Sequence, residues 1–232
     1  MEAYYGDLEK TDLLAQLFEK SADSRDDSWK GKFLDSVAEA SFACGDPKII
    51  NGPDDFPYFY LKTPEPDKTF QCYVIKHMVT DFLLKIGLGV VVNPEKDSPD
   101  WIFSYGDILN FHLTGSFYSG TNSISPSDPV KIEAGEKVLA GQPSESYLPE
   151  IARKVIRDYL TRVGISDVRF MILMRPYDGL NSGEFVFNLT PGRFHNDAEY
   201  ERTMRSIGWF LPRHYTYSSI NEEDSGHSFS PL

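Results

Sequence analysis

Between Ser116 and Ser146 the chain changes character. Ser, Gly and Pro take over, as in Ser119-Gly120-Thr121-Asn122 and Ser125-Pro126-Ser127-Asp128-Pro129, and the only extended run is a short one at Lys137 to Ala140. Such a stretch offers little apolar surface for a core, and its glycines and prolines interrupt helices and strands. Periodic apolar segments flank it on both sides. The 232 residues therefore read as two small domains, 1–115 and 147–220. Between them 116–146 is a linker or a long ordered loop, and 221–232 is a polar tail expected to fray.

The first half opens with helical spacing. Leu13, Leu14, Leu17 and Phe18 follow Thr11, which reads as a cap, and the spacing predicts a helix to about Lys20. Trp29, Phe33, Val37 and Ala40 mark one face of a second helix, entered through Asp26, Asp27 and Ser28, where negative charge suits the helix dipole. The period then shortens to that of strands: Lys48 to Ile50, Tyr58 to Leu61, and Phe70 to Ile75. Met78, Phe82, Leu83 and Ile86 predict a helix closed by Gly87, and Val90 to Val92 a β-branched strand stopped by Asn93-Pro94. Trp101 to Tyr105 extends again, and Asp107 is expected to cap a turn of helix carrying Ile108, Leu109 and Phe111.

The second half holds the clearest element of the chain. Leu148, Ile151, Val155, Ile156, Tyr159, Leu160 and Val163 form an apolar stripe, with Pro149 near its first turn and Gly164 after its last. Val168, Phe170, Ile172 and Met174 alternate, as do Phe185, Phe187 and Leu189 beyond a turn containing Asp178, Gly179, Asn181 and Gly183, so the two runs predict a hairpin. Asn196 with Glu199 three residues on caps a last helix through Tyr200, Met204 and Ile207 up to Gly208, and Trp209 to Leu211 or Arg213 to Tyr217 supplies a final strand. The fold class is thus α+β, two small mixed α/β layers whose largely antiparallel sheets are each covered by helices. No internal repeat is visible.

Several of these pieces resemble the SseB-like, or enhanced-serine-sensitivity, family. They are the amphipathic helix around Phe33 and Val37, the Gly-Pro turn leading into Tyr58-Phe59-Tyr60, the run Gly89-Val90-Val91-Val92-Asn93-Pro94, the capped turn at Asp107-Ile108-Leu109, and the α-β-β-α-β order of the second half. The helix around Phe82 and the loop from Phe117 to Asp128 depart from that pattern. The resemblance implies two small domains and an intracellular, bacterial accessory role, and it brings no catalytic residue or cofactor.

Charge narrows the partners. Thirty-five acidic residues against 23 Lys and Arg give a net charge of −12, which repels phosphate backbones and anionic lipid over about 8 Å in physiological salt. Nucleic acid and membranes are not expected, and a protein partner with a basic surface is. Arg153, Lys154, Arg157 and Arg162 lie on one helix beside Glu150 and Asp158 and read as a solvated face. Cys44 and Cys72 make no disulfide framework and no CxxC pair. Residues Met1 to Asp12 lack a basic region followed by an apolar run, and no apolar stretch approaches the ~20 residues that span a bilayer. The expected address is the cytoplasm.

No motif for chemistry stands out, and neither a catalytic residue nor a cofactor nor a metal is expected. Gly87-Leu88-Gly89 ends a helix and enters a strand, the reverse of a phosphate-binding order. Gly115-Ser116-Phe117-Tyr118-Ser119-Gly120 has the wrong spacing for a nucleophile elbow. A cysteine nucleophile would need His77 or His195 brought beside Cys44 or Cys72, and although His195, Asp197 and the later His214 could converge on a metal, the better reading has Asn196 and Asp197 serve the start of a helix with His195 in the loop before it. Aromatic content of 14% leaves the tyrosines and tryptophans as candidates, because such side chains add contact area in interfaces and pockets at low entropy cost. The expected binding residues are Tyr58, Tyr60, Trp101, Tyr105, Asp107 and His112. The function expected is a non-enzymatic interaction or regulatory module, with a small-molecule site or an enzyme site assembled from Asp100, Tyr105, Asp107 and His112 as the alternative.

Overall fold

The computed structural model describes residues 5–96, 98–119, 138–174, 183–222 and 228–232, and the chain divides into two compact units, Met1–Phe117 and Tyr118–Leu232.

In the first unit α1 (Leu8–Phe18) is capped by Asp7, whose carboxylate accepts from the Lys10 N–H, and α2 (Asp27–Val37) by Asp26, which accepts from the Trp29 N–H. The sequence pointed to Thr11 as the first cap. Thr11 instead sits inside the helix, where its hydroxyl bonds back to the Asp7 carbonyl, and its Oγ1 also accepts from the Ser41 N–H. Strands β1 (Ala43–Asn51), β2 (Pro57–Lys62), β3 (Gly89–Val92) and β4 (Trp101–Phe103) form a sheet in that order. The β1/β2 and β3/β4 pairs are antiparallel and β2/β3 is parallel.

The parallel pair requires a crossover, which a helix with one irregular turn supplies: α3 (Ile75–Met78), a π-turn (Val79–Leu83) and α4 (Leu84–Ile86). The Leu84 N–H reaches back five residues to the Val79 carbonyl. The extra residue in that turn shifts the helical phase so that Ile75, Val79, Leu83 and Leu84 all face the core. Gly87 closes the helix at φ 78°, a left-handed position that a Cβ disfavours. Helix α5 (Tyr105–Thr114) follows β4 directly. Its cap is Ser104, and Asp107 completes a capping box from the third helical position rather than serving as the cap itself.

The segment Phe70 to Ile75, expected as a strand, contributes only the Phe42↔Tyr73 bridge. Val74 then precedes the first turn of α3, so the alternating pattern ends in a helix start. The core is aromatic: Trp29 stacks on Phe33 with ring centres 5.2 Å apart, and Phe33 meets Trp101 at 4.7 Å and Phe103 at 6.1 Å.

In the second unit β5 (Leu139–Gly141), α6 (Glu150–Arg162), β6 (Arg169–Met174), β7 (Gly183–Phe187), α7 (Asp197–Phe210), β8 (Thr216–Ser219) and β9 (Ser230–Pro231) follow in order. β6 and β7 pair antiparallel as the alternation predicted, and β8 joins β7 in parallel across α7. Two segments assigned from sequence to the linker and the tail belong to this sheet. β5 pairs with Ile172–Met174 and β9 with Arg169–Phe170, so the two share one edge of β6. Their side chains explain the docking of the last residues: Phe229 and Leu232 are buried, and the Leu232 N–H donates to the Val168 carbonyl. Residues 120–137 of the expected linker, the turn at 175–182 and residues 223–227 lie outside the described residues. Helix α7 runs past Gly208, so Trp209 is helical, and the final strand of the hairpin-helix-strand unit is Thr216–Ser219.

Candidate functional site

A cleft of about 1030 Å³ opens in the first unit. Five chain segments build it: residues Tyr5 to Asp7, Glu39 beyond α2, Lys48 on β1, Phe59 on β2, and Gln71 to Phe82 leading into and along the irregular helix. Each is held in place by backbone pairing. Asp7 bridges to Ala40 and its N–H donates to the Glu39 carbonyl at 2.8 Å, while Phe42 and Tyr73 exchange two hydrogen bonds of 2.8 Å. Gly6 lies so close to the 39–41 backbone that a Cβ there would come within 2.5 Å of the Glu39 carbonyl oxygen.

Lys48 reaches the cleft through a bulge. The β1/β2 register breaks between Cys44 and Ile49, so that four residues of β1, Gly45 to Lys48, face Tyr60 alone. Gly45 sits against the Tyr60 ring, where a Cβ would come within 2.1 Å of a ring carbon. At the end of the bulge, the Lys48 ammonium donates to the Tyr73 hydroxyl at 2.9 Å and lies 5.5 Å from the centre of that ring. This hydrogen bond raises the pKa of the ammonium.

The floor is aromatic and apolar. Phe59, on β2, is buried beneath it and meets Tyr73 and Phe82 edge-on, with ring centres 5.4 and 5.2 Å away. Met78 and Phe82 stand one turn apart on the cleft side of the helix. At the rim Tyr5 is 70% exposed, and Glu39 receives the ammonium groups of Lys10 and of Lys76, the second at 2.9 Å. Those two hydrogen bonds hold the Glu39 carboxyl well below its ordinary range, at about 2. The ammonium groups of Lys48 and Lys76 line the cleft with the carboxylates of Asp7 and Glu39, and Lys10 adds a third ammonium from beside Glu39, on a chain of net charge −12.

None of the six residues expected from sequence lines the cleft. Tyr58 and Tyr60 share the opposite face of the sheet. The Tyr58 ring lies over Gly89 and its hydroxyl donates to Asp54 at 2.6 Å; the Tyr60 hydroxyl donates to Glu95 at 2.7 Å. Trp101 packs on Phe33. Tyr105 is fully buried with its hydroxyl on the Leu84 carbonyl at 3.1 Å, and burial pushes that hydroxyl's pKa far up. Asp107 is buried in the capping box, and His112 is exposed on α5.

Asp100 is the centre of a buried polar cluster. It accepts from Arg25 and Lys96, each at 2.5 Å, and from the Asn93 amide at 2.6 Å. Burial alone would raise its pKa, but the hydrogen bonds from Lys96, Arg25 and Asn93 outweigh it and the net shift is downward. Asn93, at φ 50°, also accepts from the Thr63 N–H. The Asn93-Pro94 signature thereby ties the end of β3 to β2 and to the β3–β4 connection.

Cys72 and His77, weighed from sequence as members of a nucleophile and base pair, both line the cleft. The sequence marks Lys48, Tyr73, Met78 and Phe82 only as strand and helix positions, since what joins them into a cleft is pairing between segments far apart in the chain. Among the described residues no group of three or more His, Cys, Asp and Glu is arranged to hold a metal ion, and no helix is long and apolar enough to cross a membrane. Comparison with family models, curated proteins and solved structures finds no match.

Proposed function

We propose that this chain is a non-enzymatic binding module and that the cleft of its first unit takes the ligand. The observation that carries this reading is the convergence of an aromatic floor with the ammonium groups of Lys48 and Lys76 in a preformed concavity of ligand size. Binding is favoured over catalysis by the state of Glu39 and Lys48. A general acid or base works best with a pKa near the operating pH. Glu39 is held as a carboxylate at about 2, and Lys48 is held as an ammonium by its bond to Tyr73. Both suit fixed charges that orient a ligand. The resemblance of the element order to the SseB-like family supports an accessory role in the same sense. Two separate cysteines, both free thiols, suit a cytoplasmic address.

A protein partner with a basic surface is a second reading, favoured by the net charge of −12. A thermal-shift screen of metabolites on the whole protein separates the two when run beside Gln71→Trp, which fills the cleft from an exposed position. A ligand at 100 times its Kd adds about 2.7 kcal/mol of stability. Hits that stabilise the native protein and lose their effect in the variant support the cleft. Hits unaffected by the variant, or a salt-sensitive protein complex that the variant still forms, would overturn it.

A further inference from the structure

The geometry points to a small aromatic acid as the ligand: a ring seated against Tyr73, Met78 and Phe82 with its anionic group at the Lys48 ammonium. This inference rests on the cleft being a binding site and names what it binds.

Three observations set the chemistry. The half-buried Tyr73 and Phe82 leave ring surface at the cleft wall, already ordered by edge-on packing against Phe59, and offset or edge-on aromatic contacts add to plain apolar burial. Lys48 donates to a hydroxyl rather than to a carboxylate, which fixes the ammonium beside the ring without pairing it with an anion. The other ammonium groups are arranged differently: Lys10 and Lys76 both bind Glu39 with Asp7 alongside, so two ammonium groups there meet two carboxylates, and Lys48 is the group placed to receive an anion next to the floor. Charge complementarity also limits the size of the ligand. An extended acidic polymer would meet the repulsion of a chain of net charge −12, whereas a compact anion inside the cleft lies within a Debye length of the lysines.

The shared chemistry, an aromatic ring bearing one anionic group, covers carboxylates and phosphate monoesters. The test is therefore an NMR titration of the full chain with phenyl phosphate and with phenylacetate, and with phenol, inorganic phosphate and benzylamine as comparisons. At least one of the two aromatic anions is expected to bind at least tenfold more tightly than the three comparisons, with shifts at Tyr73, Met78 and Phe82. Which of the two binds better identifies the anionic group. Lys48→Ala is expected to bring the aromatic anions down to the level of phenol, and Lys48→Arg to keep most of the preference. Lys48 is exposed, so these variants test binding without disturbing the core. Equal binding of phenol and of both aromatic anions at the cleft would overturn the inference while leaving the cleft as the site. Equal binding of inorganic phosphate, or an anion preference unchanged in Lys48→Ala, would overturn it as well. Shifts confined to other surfaces, or none with any probe, would overturn both the ligand class and the cleft.

Discussion

Glu39 shows how a single side chain joins the site to stability. Its carboxyl falls from 4.5 to about 2 because Lys10 and Lys76 donate to it. The folded state then holds fewer protons than the unfolded state between those values, so the contribution is complete above pH 4.5 and is lost as pH falls toward 2. The side chain is 38% exposed, and solvent screening keeps the effect below about 1 kcal/mol. Glu39→Gln is expected to lower Tm at pH 7 by about 2 °C and to flatten the acid limb of a Tm-against-pH series. An acid limb as steep as that of the native protein would show that the lysines do not hold this carboxylate. At this scale the sequence was partly legible. Asn196 donates no surprise, since its side chain accepts from the Glu199 N–H as the spacing implied. Asp107 was seen at a helix start but in the wrong role, because Ser104 and Asp107 are both good caps and only the backbone decides which lies outside the helix. Tyr105 offered a polar tip that the fold turns inward to the Leu84 carbonyl.

Among elements, those with a long period were legible and those defined by irregularity were not. The stripe from Leu148 to Val163 gives α6, and Gly164 at φ 87° follows it. By contrast, the bulge in β1 and the π-turn in the crossover helix leave no periodic trace, yet both shape the cleft: one delivers Lys48, and the other lies between Met78 and the core-facing Leu84. The bulge makes a testable demand on Gly45. A Cβ there would come within 2.1 Å of the Tyr60 ring, and that buried ring is held at its far end by Glu95. Gly45→Ala is expected to destabilise the protein by about 1 to 3 kcal/mol through overpacking, read as a lower urea midpoint at unchanged m. If the ring is the obstacle, Tyr60→Leu should offset part of that loss, so the double variant is more stable than the two separate losses predict. Strict additivity would place the strain elsewhere.

Over the whole molecule the two units repeat one connectivity. In the first, α2, β1, β2, the crossover from α3 to α4, and β3 run helix, strand, strand, helix, strand; in the second, α6, β6, β7, α7 and β8 do the same. In both, the strand pair is antiparallel and the strand after the helix returns in parallel. The order was legible in the second half, where a capped α7 follows a clear hairpin. In the first half it was obscured, because Phe70 to Ile75 mimics a strand and the crossover helix carries the π-turn. Each unit buries its own aromatic core, Trp29 and Phe33 with Phe103 in the first, Phe170, Phe185 and Phe187 in the second, and every segment that lines the cleft comes from the first. A domain with its own core can in principle fold alone. Residues 1–117 expressed without the rest are therefore expected to unfold in urea as one cooperative step and to shift on titration with phenyl phosphate at the same concentrations as the full chain. A fragment that folds but binds more weakly would make the second unit part of the site, and one that fails to fold would show that its sheet depends on residues beyond Phe117.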